Sequence, residues 1–70
     1  MSDTKTLGDE LPHEMARVRD LLPLYLSIGP GGAFAVAGMK ADLDRAAKAM
    51  IEGDTVEMIR VYQSLKEWSE

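Results

Sequence analysis

The run Ser27-Ile28-Gly29-Pro30-Gly31-Gly32-Ala33-Phe34 most constrains what this chain can become, because it stops one helix and starts another within a few residues. Gly29 can take the left-handed conformation that closes a helix, and Pro30 cannot continue that helix. Gly31 and Gly32 then leave backbone N–H groups open at the start of the next helix, from Ala33 onward. The segment is therefore either a tight helix–helix turn or a small anion cradle.

Helical periodicity flanks this break on both sides. Leu11, Met15, Val18, Leu22 and Tyr25 recur at three- and four-residue spacing and define one face of a first helix. Pro12 suits the first turn of that helix, where its missing N–H costs nothing, and Glu14 suits the positive helix end. Pro23 removes the bond to the Arg19 carbonyl and predicts a kink or restart there. Leu24, Leu26 and Ile28 add apolar groups on other faces, so the second half of the helix reads as buried nearly all round.

A second helix is predicted from about Ala33 to Ile51, with Val36, Met39, Leu43, Ala46, Ala47 and Met50 inward and Lys40, Asp44 and Lys48 in water. Its other side carries Ala33, Ala37 and Ala41 with Phe34 and Gly38 beside them. Glycine within a helix costs about 1 kcal/mol against alanine, and close approach of another helix would explain Gly38. Gly53 then caps the second helix in the left-handed region, and Asp54 with Glu57 opens a third in a capping-box-like spacing. Met58, Val61, Tyr62, Leu65 and Trp68 fall on one face of it, with Val56 and Ile59 at the margins. The expected fold is all-α: a hairpin of helices two and three with a kinked first helix packed across it. Residues 1–10 are predicted as a flexible tail and residues 11–70 as one helical domain.

Seventy residues make one domain at most, and a chain this short buries only about 60% of its unfolded surface. Yet 46% of its residues are hydrophobic. The chain lacks cysteine and has one histidine, so neither a disulfide nor a usual zinc set is expected to staple the fold, and no metal or cofactor is predicted. Small domains without such staples often recruit a second copy of themselves. A net charge of −4 argues against a duplex nucleic-acid partner. Met1 to Lys5 is polar with no apolar signal region behind it, and no apolar stretch approaches the length needed to span a bilayer. These points predict a cytoplasmic protein with no membrane partner.

Catalysis is not expected, and no catalytic residue is assigned. His13 sits between Pro12 and Glu14 without a second histidine or a plausible serine nearby. Asp42 and Asp44 are two apart and diverge on a helix, which defeats an acid–base dyad. Glu10 and Glu14 could share a face, but no apolar pocket is evident to shift either one.

Two binding chemistries are open. An interface would draw on Leu24, Tyr25, Ile28, Phe34, Ala37, Gly38, Ala41, Tyr62 and Trp68, since aromatic anchors and small clefts concentrate binding energy. An anion site would use the amides of Gly31, Gly32 and Ala33, with charge from Arg17 or Lys40. The loop lacks the Lys-Ser/Thr ending of a phosphate-binding loop and the strand before a dinucleotide fingerprint. A plain turn is the favoured reading.

The run Leu11-Pro12-His13-Glu14-Met15-Ala16-Arg17-Val18-Arg19, then Ile28-Gly29-Pro30 with Gly32-Ala33-Phe34, and Gly53-Asp54 with Met58 and Tyr62-Gln63-Ser64-Leu65-Lys66, resembles small proteins encoded by tailed phages and prophages. The resemblance spans roughly residues 11 to 66 and rests on capping and core residues. It implies a non-enzymatic accessory protein in the host cytoplasm that binds a host protein and inhibits a defence or regulatory function. The alternatives are an oligomer that sequesters an anionic ligand such as a signalling nucleotide, or a structural helper in assembly. Self-association as a homodimer or larger is expected in any of these roles, through the second half of helix one and the small-residue strip of helix two.

Overall fold

A computed structural model describes residues 6–69. Three helices follow in chain order: α1 (Leu7–Leu26), α2 (Pro30–Glu52) and α3 (Thr55–Lys66), and each packs against the other two. No strand occurs among the described residues. The all-α fold and the α2–α3 hairpin are those expected from the sequence.

The first helix starts earlier than the sequence reading placed it. Thr6 is its N-cap: the hydroxyl oxygen accepts the Asp9 N–H at 3.2 Å and the hydroxyl donates to Asp9 Oδ2 at 3.1 Å. The Thr6 side chain thus satisfies the orphan N–H of Asp9 in the first turn, residues 7–10 are helical, and residues 1–5 of the expected tail lie outside the described residues. Pro12 thus lies inside α1 rather than in its first turn, as does Pro23, and the helix runs on through both.

The α1–α2 junction also differs in detail. Ser27 is the C-cap of α1, and Gly29 is instead the N-cap of α2, at φ 116° and ψ −155°. That region is essentially confined to glycine. Pro30 then occupies the start of α2, where proline is pre-organised for helix. Gly32 is buried, and a Cβ there would collide with the Tyr25 carbonyl oxygen. Its missing side chain is what lets the start of α2 lie on the end of α1. Gly31 faces open space. At the other junction Gly53 takes the left-handed conformation (φ 68°), and Asp54 accepts the Glu57 N–H at 3.1 Å, as anticipated.

Leu11, Val18 and Leu21 from α1, Met39 and Ala46 from α2, and Val61 and Leu65 from α3 form the core. Burying a side chain such as Leu11 or Leu65 contributes about 1.5–3 kcal/mol. Met15, Leu22, Tyr25, Leu43, Met58, Tyr62 and Trp68 pack around it. The expectation for the end of α1 is corrected: Leu24, Leu26 and Ile28 are each about half exposed or more, because α2 and α3 cover only one side of that turn. On α2, Val36, Met39 and Ala46 are buried as expected and Leu43 packs against the core, but Asp42 and Ala49 complete the inward face while Ala47 and Met50 are exposed.

These contacts separate the two loop glycines. Gly32→Ala should destabilise the fold by at least about 2 kcal/mol through overpacking, whereas Gly31→Ala should stabilise it by about 0.5–1 kcal/mol. Urea unfolding followed by circular dichroism checks both values, and equal effects would contradict this view of the junction.

Candidate functional site

The densest polar constellation lies where the C-terminal segment meets α1 and α2. Asp42, only 7% exposed, projects from the inward face of α2 between Met39 and Ala46. Its Oδ2 accepts the Ser64 hydroxyl at 2.6 Å and the Trp68 Nε1–H at 2.9 Å, and its Oδ1 accepts Arg45 Nη1 at 3.4 Å. Arg45 Nε donates to Glu57 Oε2 at 2.8 Å. Hydrogen bonding to Glu57 raises the pKa of this guanidinium, and the Asp42 carboxylate adds to the effect. The chain of contacts from the Asp54 cap through Glu57, Arg45 and Asp42 to Ser64 and Trp68 is continuous.

A second fixture comes from α1. Arg17 donates from Nη2 to the Leu65 carbonyl at 2.9 Å and from Nη1 to the Trp68 carbonyl at 2.8 Å, while Glu14 Oε1 accepts from its Nε and Nη2 at 3.1 and 3.0 Å. A cation at this place satisfies carbonyls that a helix end leaves open and opposes the negative pole of α3. Tyr25 donates its hydroxyl to the Ser69 carbonyl, and Tyr62 reaches Glu10 Oε1 at 3.4 Å. The Lys66 ammonium lies 5.3 Å from the Tyr62 ring centre.

Gly38 belongs to the same assembly. A Cβ at this position would come within 3.1 Å of Cη2 and Cζ2 of Trp68, so the space beside the glycine is filled by the chain's own indole. Close approach was the right inference, but the approaching group is a ring from α3's end and not a second helix.

The residues expected at an interface therefore divide. Leu24, Ile28, Phe34, Ala37 and Ala41 are exposed. Tyr25, Gly38, Tyr62 and Trp68 are partly buried and engaged within the chain. The residues expected to cradle an anion are not brought together. The Ala33 N–H already donates to the Gly29 carbonyl at 3.0 Å, and Gly32 is buried against Tyr25. Arg17 is committed to the end of α3. Lys40 lies nine residues beyond Gly31 on α2, about 14 Å along the axis. Gly31 and Ala33 are exposed at the turn.

The chemistry available is that of a structural lock. The Ser64 hydroxyl is spent on Asp42, and His13, exposed on α1, hydrogen-bonds neither of them. No group of three or more His, Asp or Glu among the described residues is placed to hold a metal ion. A cleft of about 270 Å³ between the end of α2 and the start of α3 is lined by Arg45, Lys48, Ala49, Glu52, Asp54 and Glu57, so cations and carboxylates both face it. A second, of about 390 Å³, lies over Gly8, Asp9, Pro12, His13 and Ala16. No described helix is long and apolar enough to cross a membrane.

The sequence reading missed Asp42, Arg45, Glu57 and Ser64. The signal lay in spacing, since Met39, Asp42, Ala46 and Ala49 recur at three and four residues and place Asp42 on the inward stripe. Compared with protein families, curated proteins and solved structures, the chain gives no match.

Replacing Asp42 by alanine strands the Ser64 hydroxyl and the Trp68 N–H without their acceptor. We expect a loss of about 2–4 kcal/mol in stability. Trp68 is the chain's one tryptophan, so its emission should shift to the red in the native baseline of that variant. An unshifted emission and unchanged midpoint would contradict the assignment of the lock.

Proposed function

We propose that this chain is a non-enzymatic binding module that docks on a bacterial host protein through the apolar end of α1. The observation that carries this reading is the exposure of Leu24, Leu26 and Ile28, three large aliphatic residues within five positions that the other described residues leave about half exposed or more. Exposed apolar clusters on small domains mark interaction sites. Pro23 and the Gly29 turn bracket the cluster and hold it at the tip of the molecule. Leu24 and Ile28, four apart, can enter one apolar receptor groove, while Leu26 projects to another side of the helix.

Support for a non-catalytic role comes from the polar groups. Among the described residues no buried side-chain nitrogen or oxygen lacks a partner, so the interior holds no polar group waiting for a substrate. The resemblance to small proteins of tailed phages and prophages supports a host protein as the partner, the host cytoplasm as the place, and inhibition of a defence or regulatory function as the consequence.

The test is affinity capture from bacterial lysate with the wild-type chain and with the double variant Leu24→Ser/Ile28→Ser. Both replaced residues are exposed, so the variant should keep its helical circular dichroism. We expect the wild type to retain one specific protein and the variant to lose at least about tenfold of it. Equal retention by both chains, or none by either across several hosts, would overturn the proposal.

A further inference from the structure

Phe34 and Ile51 are the two most exposed large hydrophobic residues, at 86% and 85%, and they lie near opposite ends of the same helix. Between them Ala37, Ala41, Asp44 and Lys48 complete a spacing of three, four, three, four and three, the repeat of a coiled-coil seam. Every one of the six is exposed, and the stripe runs opposite the inward face defined by Val36, Met39, Asp42, Ala46 and Ala49. α1 and α3 lie behind it. Lys40, Asp44 and Lys48 make no ion pair within the chain among the described residues.

We propose that this face binds a second copy of the chain, with the two α2 helices antiparallel about a two-fold axis between Ala41 and Asp44. In that register each Phe34 meets the partner's Ile51, so the two most exposed of the large hydrophobic residues of each copy are covered at once. Ala37 faces the stem of the partner's Lys48, and small residues at the middle let the axes approach to about 8 Å. Lys40 falls within about one residue's rise of the partner's Asp44, and the symmetry makes this ion pair twice.

A parallel pairing has the opposite character. It sets Asp44 on Asp44 and Lys48 on Lys48, and like charges in a seam disfavour it. The antiparallel register also brings Asp44 near the partner's Asp44, but it sets the partner's Lys40 beside each of these carboxylates and holds the two Lys48 about 16 Å apart along the axis, so it is the favoured direction. The proposal does not draw on the apolar end of α1, so the two surfaces succeed or fail separately.

The chain has no cysteine, which makes single-cysteine crosslinking clean. Antiparallel pairing brings Ala41 beside the partner's Ala41, within the roughly 4.4–6.8 Å Cα separation that a disulfide spans. It sets Phe34 and the partner's Phe34 about 26 Å apart. Under mild oxidation Ala41→Cys should form a covalent dimer, Phe34→Cys alone should not, and Phe34→Cys mixed with Ile51→Cys should. Sedimentation of the uncrosslinked chain should give a dimer that Phe34→Ser weakens at least about tenfold. Crosslinking by Phe34→Cys alone, or a monomer throughout the micromolar to millimolar range, would overturn the proposal.

Discussion

A carboxylate moved almost entirely out of water costs several kcal/mol unless hydrogen bonds replace its hydration. Asp42 has the longer Arg45 contact within α2, but it recovers its two shorter hydrogen bonds only when α3 is docked, because the Ser64 hydroxyl and the Trp68 indole N–H both come from that helix and its end. Docking α3 is thus coupled to satisfying α2. Gly38, one turn earlier on α2, eases this contact, since a Cβ there would come within 3.1 Å of the indole and force the ring to shift. A helix of 12 residues would be marginal alone, and this coupling fixes its register on α2 where the small core gives modest driving force.

The third edge of the structure rests on Arg17. By reaching the Leu65 and Trp68 carbonyls it ties α1 to the place where α3 ends. Asp42 and Arg17 therefore hold the same segment from opposite sides, one through its side chain and one through its backbone. With these polar groups locked inward, the outside of α2 and the tip of α1 are the surfaces we propose for binding. The Arg45–Glu57 pair is exposed and contributes at most about 1 kcal/mol; its place is to orient Arg45 toward Asp42.

Local signals in the sequence were legible wherever one residue decides the backbone. Gly53 and Asp54 announced the α2–α3 junction, and the α3 face from Met58 to Trp68 is the one observed. The start of α1 was misplaced because Pro12 was read as a first-turn proline, although Thr6 and Asp9 already formed a cap. The inward face of α2 reads in the sequence through its hydrophobic residues, and Asp42 enters that reading only as half of a dyad with Asp44 that helix geometry rules out. Burial of Asp42 depends on donors 22 and 26 residues away, which no local pattern contains. Exposure of Leu24, Leu26 and Ile28 was hidden for the same reason, since it follows from where the other helices stop.

The central claim is that the Asp42–Trp68 contact couples α3 to α2, and a double-mutant cycle measures that coupling directly. Asp42→Ala, Trp68→Phe and the double variant, unfolded in urea and followed by circular dichroism, give the interaction free energy. Trp68→Phe keeps an aromatic ring near Gly38 while removing the N–H donor. The account predicts that the second substitution costs at least about 1 kcal/mol less once the first is present. Strictly additive losses would show that the two residues act independently, and would contradict it.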